Sequence, residues 1–154
     1  MISTYIFSGI LIIISLVIQG HSSFDVLRIA GVKPDLLFIA IVYYGYSFGS
    51  FYGEVTGFIS GLLHDAVSNS PLGLLAFPKM AVGYFIGFFN RSIIRSNVLS
   101  VFIIMFLASI AKGLLTFLIS LIFSEVSLSS IISIILPESF YNAVLAPILF
   151  ILFD

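Results

Sequence analysis

The sequence predicts an all-α integral membrane protein, a six-helix transmembrane bundle that forms a single transmembrane domain over residues 1–154. Apolar residues make up 60% of the chain and charged residues only 8%, whereas soluble domains contain about 45–50% apolar and about 25% charged residues. Because so little charge cannot cover a surface that faces water, most of this surface is expected to face lipid. The long apolar stretches, separated by short polar segments, indicate the number of helices.

Each long apolar stretch is predicted to form one helix that ends where polar, glycine or proline residues follow. The predicted helices cover residues 2–18, 34–48, 51–66, 72–89, 98–123 and 137–153. The first stretch has no Lys or Arg before Arg28 and no small-residue cleavage site, so we interpret it as a retained transmembrane helix and not as a secretory signal peptide. The polar connection 19–33 is expected to contain a short interfacial segment.

A polar, glycine-rich patch is predicted to separate the second and third helices. Apolar residues dominate for about thirty positions from Pro34 to Leu63, and one helix of that length would be about 45 Å long, too long for a hydrocarbon core of about 30 Å. Ser47, Gly49 and Glu54 interrupt this stretch. Two short helices are therefore favoured, the first with Pro34 in its first turn. One long, tilted helix, which would leave five spans, is the alternative.

Pro137 is predicted to open the last helix, because proline is tolerated in a first turn and disrupts a helix interior. The apolar residues 131–136 before it are then expected to form a separate, interfacial half-helix. An even number of helices puts both termini on one side of the membrane. Lys and Arg divide equally between the two sets of loops, but acidic residues are in excess in the loops opposite the termini, so the termini are expected in the cytoplasm.

Glycine recurs at every fourth position from Gly45 to Gly61. This spacing puts small residues on one stripe of a helix, where two backbones can approach closely, and close approach matters because lipid provides no hydrophobic drive for helix association. Packing inside the bundle is favoured, and a face for a partner helix is the alternative. The glycines expected to pack are Gly53, Gly57, Gly61, Gly83 and Gly87.

The candidate site consists of polar residues inside the predicted helices. Ionisable groups in a membrane are costly and usually face the bundle interior or water. Lys79 and Lys112 lie too far from the helix ends to reach the interface easily, so each needs a partner. Asp65, Glu138 and Asn142 lie toward the same, outer end of the bundle. A polar network that specifies the fold is the favoured interpretation, and a site for a ligand or a partner is the alternative.

Several classes of function are excluded or disfavoured by composition and motifs. The net charge is −1, so there is no basic face for nucleic acid. Cysteine is absent, and the two histidines, His21 and His64, are far apart in the sequence, so we expect no metal site. The sequence contains neither Gly-x-Ser-x-Gly nor a phosphate-binding glycine-rich loop. We therefore expect no catalytic residues and no cofactor.

Three segments of the sequence, in this order, point to a known family. They are Lys33-Pro34-Asp35-Leu36-Leu37; the glycine-rich stretch Gly57 to Asp65 with Pro71-Leu72-Gly73-Leu74 after it; and Pro137-Glu138-Ser139-Phe140-Tyr141-Asn142-Ala143, followed by Pro147. Together they resemble the rod shape-determining protein MreD family, in which a glycine-rich helix ends in Asp and the last helix carries a similar Pro and Tyr-Asn run. Chain length and helix layout match as well, so the resemblance covers nearly the whole chain.

The resemblance implies a protein of the bacterial inner membrane, without enzymatic activity, that acts in the cell-elongation machinery and in lateral peptidoglycan synthesis. The main partner it implies is MreC, and the wider assembly includes MreB, a SEDS-type transglycosylase and a transpeptidase. The family is also similar in architecture to the substrate-binding subunits of energy-coupling-factor importers. Our hypothesis is a scaffold that holds a partner's transmembrane helix on its small-residue faces and the partner's juxtamembrane segment in its polar outer cleft.

The alternative hypothesis is a substrate-binding subunit of a vitamin-type importer. The six-helix layout and the polar residues near the outer end favour it. Importer subunits of that kind typically carry an Ala-x-x-x-Ala face on their first helix. The first helix here, from Ile6 to Ser15, contains no alanine, which counts against the importer.

Overall fold

The computed structural model describes residues 2–21, 26, 28, 31–95, 97–123 and 128–154. In this part of the chain the fold is all-helical, with six helices: α1 (Ile2–Gly20), α2 (Leu36–Phe48), α3 (Ser50–Val67), α4 (Ala76–Phe88), α5 (Val98–Phe123) and α6 (Leu128–Phe153). By length and apolar composition, α5 and the Ile132–Phe153 part of α6 are able to cross a membrane. The all-helical class and the number of helices agree with the sequence prediction. Residues 22–25, 27, 29 and 30 of the 19–33 connection, where the interfacial segment is predicted, lie outside the described residues.

Helix α2 is the central element of the bundle and contacts each of the other five helices. Every residue from Leu37 to Tyr46 is buried, because α2 is apolar on all sides and other helices cover each of its faces. The outer helices expose many large apolar side chains instead, for example Ile13, Leu107 and Ile148. An apolar exterior around an apolar core is the arrangement expected where the surrounding solvent is lipid.

The polar patch predicted between the second and third helices contains a sharp turn. Gly49 ends α2 with a φ of +100°, a backbone conformation that glycine adopts at no steric cost. Its N–H donates to the carbonyl oxygen of Gly45 at 2.9 Å, and α3 begins at the next residue. The chain therefore forms two packed helices here and not one long helix.

Helix α2 begins at Leu36, so Pro34 does not occupy its first turn as predicted. The side chain of Asp35 caps the helix by accepting a hydrogen bond from the Phe38 N–H at 2.9 Å. A capping carboxylate satisfies one of the N–H groups that have no partner within the helix. Helix α4 begins at Ala76, later than the predicted position 72, because residues 72–75 form turns in which Gly73 has a φ of +99°.

The prediction of a separate half-helix before Pro137 is wrong. Helix α6 runs without interruption from Leu128 to Phe153, with Pro137 and Pro147 inside it. Each proline removes one N–H donor from the helix. In membrane helices this loss is tolerated, because neighbouring helices and Ser or Thr side chains satisfy the carbonyl groups that are set free. The packing of α6 against α5 supports the continuous helix.

Candidate functional site

Polar side chains from all six helical segments meet at the end of the bundle where α2 begins. We call this group the polar cluster; its members are Gln19, Asp35, His64, Lys79, Ser109, Lys112, Glu138 and Asn142. Helices α1 and α3 end near this point and α2 and α4 begin there, whereas α5 and α6 contribute side chains from their middle parts, Lys112 and Glu138 among them. The cluster therefore connects the elements of the fold.

Asp35 lies at the centre of the polar cluster and is buried. Its carboxylate accepts from the Lys112 ammonium at 2.9 Å and lies 3.3 Å from the Lys79 ammonium, in addition to capping the N–H of Phe38. Its backbone N–H donates to the side-chain oxygen of Asn142 at 2.8 Å. One residue thus links the start of α2 to α4, α5 and α6.

The two lysines of the polar cluster are paired with acids in the interior. Lys79 is only 1% exposed, and its ammonium lies 2.7 Å from Nδ1 of His64. Lys112 is 8% exposed and forms a second ion pair, with Glu138. Buried charges are tolerated when they are paired and hydrogen-bonded. The two ammonium groups balance the two carboxylates, of Asp35 and Glu138.

Asn142 extends the cluster into the space between α5 and α6. It is fully buried, and its amide nitrogen donates to the Ser109 hydroxyl at 3.2 Å. Both ends of its side-chain amide are therefore occupied, the oxygen by Asp35 and the nitrogen by Ser109. An amide bonded at both ends fixes the rotation of α6 relative to α2 and α5, because any other rotation leaves buried polar atoms unpaired.

The structure brings together four of the five polar residues singled out from the sequence: Lys79, Lys112, Glu138 and Asn142. It does not bring Asp65 into the same hydrogen-bonded group. The residue that joins the four, Asp35, is missing from the sequence-based set, although it stands in the Lys33-Pro34-Asp35 motif. An acid directly before an apolar helix is the signal that was available, because that position predicts a helix cap.

Asp65 holds the loop between α3 and α4 instead. Its carboxylate is fully buried and accepts from the Ser70 hydroxyl and the N–H groups of Gly73 and Leu75, each at 2.9 Å, and from the N–H of Ala76 at 3.2 Å. The last of these is in the first turn of α4, where N–H groups have no partner within the helix. Asp65 therefore caps α4 from α3 and sets the position of Lys79.

We expect Asp65→Leu to lower the free energy of unfolding by about 3 kcal/mol, because several N–H groups then lose a buried acceptor. Asp65→Asn is the matched control; it keeps one side-chain oxygen and is expected to lose less. Chemical denaturation of the purified variants in detergent measures both values. Wild-type stability of Asp65→Leu would contradict the role assigned to this carboxylate.

The glycine stripe of α3 lies directly against α4. A Cβ atom added at Gly57 would lie 2.5 Å from the carbonyl oxygen of Lys79, and Cβ atoms at Gly53 and Gly61 would also meet backbone of α4. From the other side, Gly83 and Gly87 face the backbone of Gly53 and Ser50. Backbone atoms of α4 fill this face from within the chain, so the face is not free for the partner helix that our sequence-based hypothesis places on it.

Two cavities that share three lining residues lie beside the polar cluster. The first, which we call the polar cavity, has a volume of about 380 Å³, and its lining includes Gln19, Lys33, Asp35, His64, Lys112 and Glu138. The second, which we call the α5–α6 groove, has a volume of about 300 Å³ and a mainly apolar lining. Leu75, Lys112 and Glu138 line both cavities, so the Lys112–Glu138 ion pair borders each of them.

A separate polar contact holds the opposite end of the bundle. The Arg91 guanidinium donates to the side chain of Asp154 at 2.5 Å, and the Tyr43 hydroxyl donates to the carbonyl oxygen of Phe153 at 3.0 Å. Arg91 also lies 5.5 Å from the centre of the Tyr43 ring. These contacts tie the end of α6 to α2 and to the α4–α5 loop.

The sequence model of the rod shape-determining protein MreD family matches residues 1–154, the whole chain. The resemblance seen in the three motif segments is thereby confirmed. No curated protein and no solved structure matches the chain.

Proposed function

Because the chain belongs to the rod shape-determining protein MreD family, we propose that it acts as a non-enzymatic scaffold of the cell-elongation machinery. Family membership gives the chain a role in determining rod shape. We propose further that it binds an MreC-like protein and, with MreB, a SEDS-type transglycosylase and a transpeptidase, supports lateral peptidoglycan synthesis. In this role the chain would be a multi-pass protein of the bacterial inner membrane, with its termini in the cytoplasm.

The mutual pairing of the buried polar groups is the observation that carries this proposal. Asp35, Lys79, Lys112 and Glu138 bind one another across four helical segments, and Asp65 binds the loop before α4. Groups engaged in this way orient helices relative to one another, which favours a structural role over chemistry on a substrate. A rigid bundle of this kind offers a defined surface to other membrane proteins.

The surface available to a partner helix is the apolar exterior of the bundle. Ile13 on α1 is 59% exposed, Leu107 on α5 is 59% exposed and Ile148 on α6 is 64% exposed. Helix association in lipid depends on close packing between such surfaces. An MreC-like partner, with one transmembrane helix, would cover one of these faces.

Site-specific photo-crosslinking in cells tests this proposal. A photoreactive side chain is placed in turn at Ile13, Leu107 and Ile148, and at the buried Met105 as the control. We expect at least one of the three exposed positions to crosslink to the MreC-like protein, and Met105 not to crosslink. If all three exposed positions crosslink to lipid and to no component of the elongation machinery, the scaffold proposal is contradicted.

The polar cavity of about 380 Å³ favours a second candidate function, the substrate-binding subunit of a vitamin-type importer. With this function, the chain would share the architecture of the substrate-binding subunits of energy-coupling-factor importers. A cavity of this size with charged and amide groups is typical of small-molecule sites. Tight, saturable binding of a vitamin to the purified chain would support the importer, and binding to an MreC-like partner without vitamin binding would support the scaffold.

A further inference from the structure

We propose that the chain thins the lipid bilayer on one of its sides. At the end of the bundle that holds the polar cluster, the boundary between hydrocarbon and water would lie about 10 Å deeper beside α3 and α4 than beside α5 and α6. The partner is the bilayer itself, whose acyl chains cover α5 and α6 beyond the polar cluster. This inference concerns the position of the bundle in the bilayer and does not depend on the MreC-like partner proposed above.

The helices extend to different heights beyond the polar cluster. Helix α3 ends at Val67, three residues after His64, whereas α5 continues to Phe123, eleven residues after Lys112. Helix α6 begins ten residues before Glu138. At about 1.5 Å per residue, α5 and α6 rise about 16 Å beyond the cluster and α3 only about 5 Å. The α5–α6 pair therefore stands roughly 10 Å taller than α3 at this end of the bundle.

The taller part of the α5–α6 pair has the surface of a lipid-embedded structure. The segments 113–123 and 128–137 contain no charged residue. On α5, Leu118 is 57% exposed and Ile122 is 78% exposed, and on α6 the side chains of Ile132 and Leu136 are exposed as well. Apolar surface of this extent is unfavourable in water, in proportion to its area. Acyl chains are therefore expected to surround both helices beyond the polar cluster.

The loop between α3 and α4 has the opposite character at a lower level. Its first residues, Ser68 and Asn69, are polar and exposed, and residues 68–75 are not helical. Irregular backbone does not occur in contact with hydrocarbon, because its N–H and C=O groups need partners that lipid cannot provide. The hydrocarbon is therefore expected to end near Val67 on this side, below the level that it reaches on α5 and α6.

The lengths of the helices agree with a core of unequal thickness. Helices α2 and α4 have 13 residues each and are about 20 Å long, whereas α5 and α6 have 26 residues each and are about 39 Å long. The hydrocarbon core of a typical bilayer is about 30 Å thick. A bilayer adapts to segments shorter than its core by local thinning, which is expected here beside the short helices.

The ionisable groups of the polar cluster favour the same arrangement. In a level bilayer that covers α5 and α6 to their ends, Asp35, Lys79, Lys112 and Glu138 would lie about 16 Å below the boundary, near the middle of the core. Charged groups at that depth are costly, and local thinning of the bilayer lowers this cost. A level bilayer that ends at the α3–α4 loop would instead leave the apolar α5–α6 pair in water. A step in the boundary satisfies both sides of the bundle.

Labelling of single cysteines tests the step, because the chain has no cysteine of its own. The purified full chain with Ser68→Cys or Leu118→Cys is placed in vesicles of dioleoyl-phosphatidylcholine, and a membrane-impermeant maleimide is added on both sides. Leu118 lies six residues beyond Lys112 and Ser68 only four beyond His64, so Leu118 is the higher of the two. We nevertheless expect Ser68→Cys to react at least roughly tenfold faster, because the reactive thiolate forms in water and not in hydrocarbon.

Controls and alternative outcomes make this test decisive. Ser92→Cys, in the loop at the opposite end, is expected to react, and Ile148→Cys, exposed on α6, is expected not to react. Reaction of both Ser68→Cys and Leu118→Cys would show that the α5–α6 pair projects into water, and reaction of neither would place the loop in hydrocarbon. Either result overturns the step. Leu118→Cys that reacts in vesicles but is protected in cells that produce the MreC-like protein would identify that protein, and not lipid, as the cover.

A pair of lysine substitutions tests the step in cells. Leu114 lies two residues beyond Lys112 and is 51% exposed, and Val67 lies three residues beyond His64 and is 65% exposed. In a level bilayer the two positions have nearly equal depth. We expect Leu114→Lys to lower the yield of folded protein from membranes at least roughly tenfold and Val67→Lys to lower it less than about twofold. Equal yields of the two variants would overturn the proposal.

Discussion

Asp35→Asn is expected to lower the free energy of unfolding by about 3 kcal/mol, because it leaves buried ammonium groups without their shared carboxylate. Lys79 is affected most: it is 1% exposed, and His64 is then the remaining side chain that pairs with it. Lys112 keeps its ion pair with Glu138. Chemical denaturation in detergent measures the loss, and a lower yield of folded protein from membranes is expected to accompany it.

Two further variants separate the loss of charge pairing from other effects of the substitution. Adding Lys79→Met to Asp35→Asn removes the unpaired ammonium and is expected to recover about half of the lost stability. Asp154→Asn breaks the ion pair with Arg91 at the opposite end, where the Asp154 side chain is 43% exposed, and is expected to cost at most about 1 kcal/mol. If Asp35→Asn is as stable as Asp154→Asn, the polar cluster does not hold the helices together.

Gly57→Leu is expected to destabilise the protein by about 3 kcal/mol or more, because the added side chain meets backbone that cannot rotate away. A Cβ atom at this position would lie 2.5 Å from the carbonyl oxygen of Lys79. The helices α3 and α4 would have to separate, and this movement would also displace Lys79 from Asp35. The measurements are the free energy of unfolding in detergent and binding to the MreC-like partner.

Gly9→Leu is the matched control for this substitution. Gly9 is also a helical glycine, in α1, but a Cβ atom there has no neighbour within 4 Å. We expect its free energy of unfolding to stay within about 0.5 kcal/mol of the wild-type value. Unchanged folding and partner binding in Gly57→Leu would contradict the close contact between α3 and α4.

The contact between α3 and α4 shows what local sequence pattern is able to predict. The two helices are neighbours in the chain, and the four-residue spacing of Gly53, Gly57 and Gly61 predicts a small-residue face without knowledge of the rest of the fold. The same pattern does not say what covers the face. The positions of Gly83 and Gly87 in the structure show that α4 of this chain, and not a partner helix, covers the face.

The centre of the polar cluster depends on contacts between residues far apart in sequence. The high cost of a buried charge predicts that Lys79 and Lys112 have partners, but it does not identify them. Asp35 is 77 residues from Lys112 and 107 residues from Asn142, and its local sequence indicates only a helix cap. The half-helix before Pro137 was wrongly predicted because the rule that proline breaks a helix is weaker where neighbouring helices surround the chain.

Co-purification in mild detergent tests whether the chain is a scaffold that holds another membrane protein. The full chain, carrying an affinity tag, is isolated from membranes of cells that also produce an MreC-like protein, with Gly57→Leu as the variant expected to weaken the complex and Gly9→Leu as the control. We expect the wild type and Gly9→Leu to retain the MreC-like protein in a stable complex. Absence of that complex, together with normal rod shape in cells that lack this chain, would contradict it.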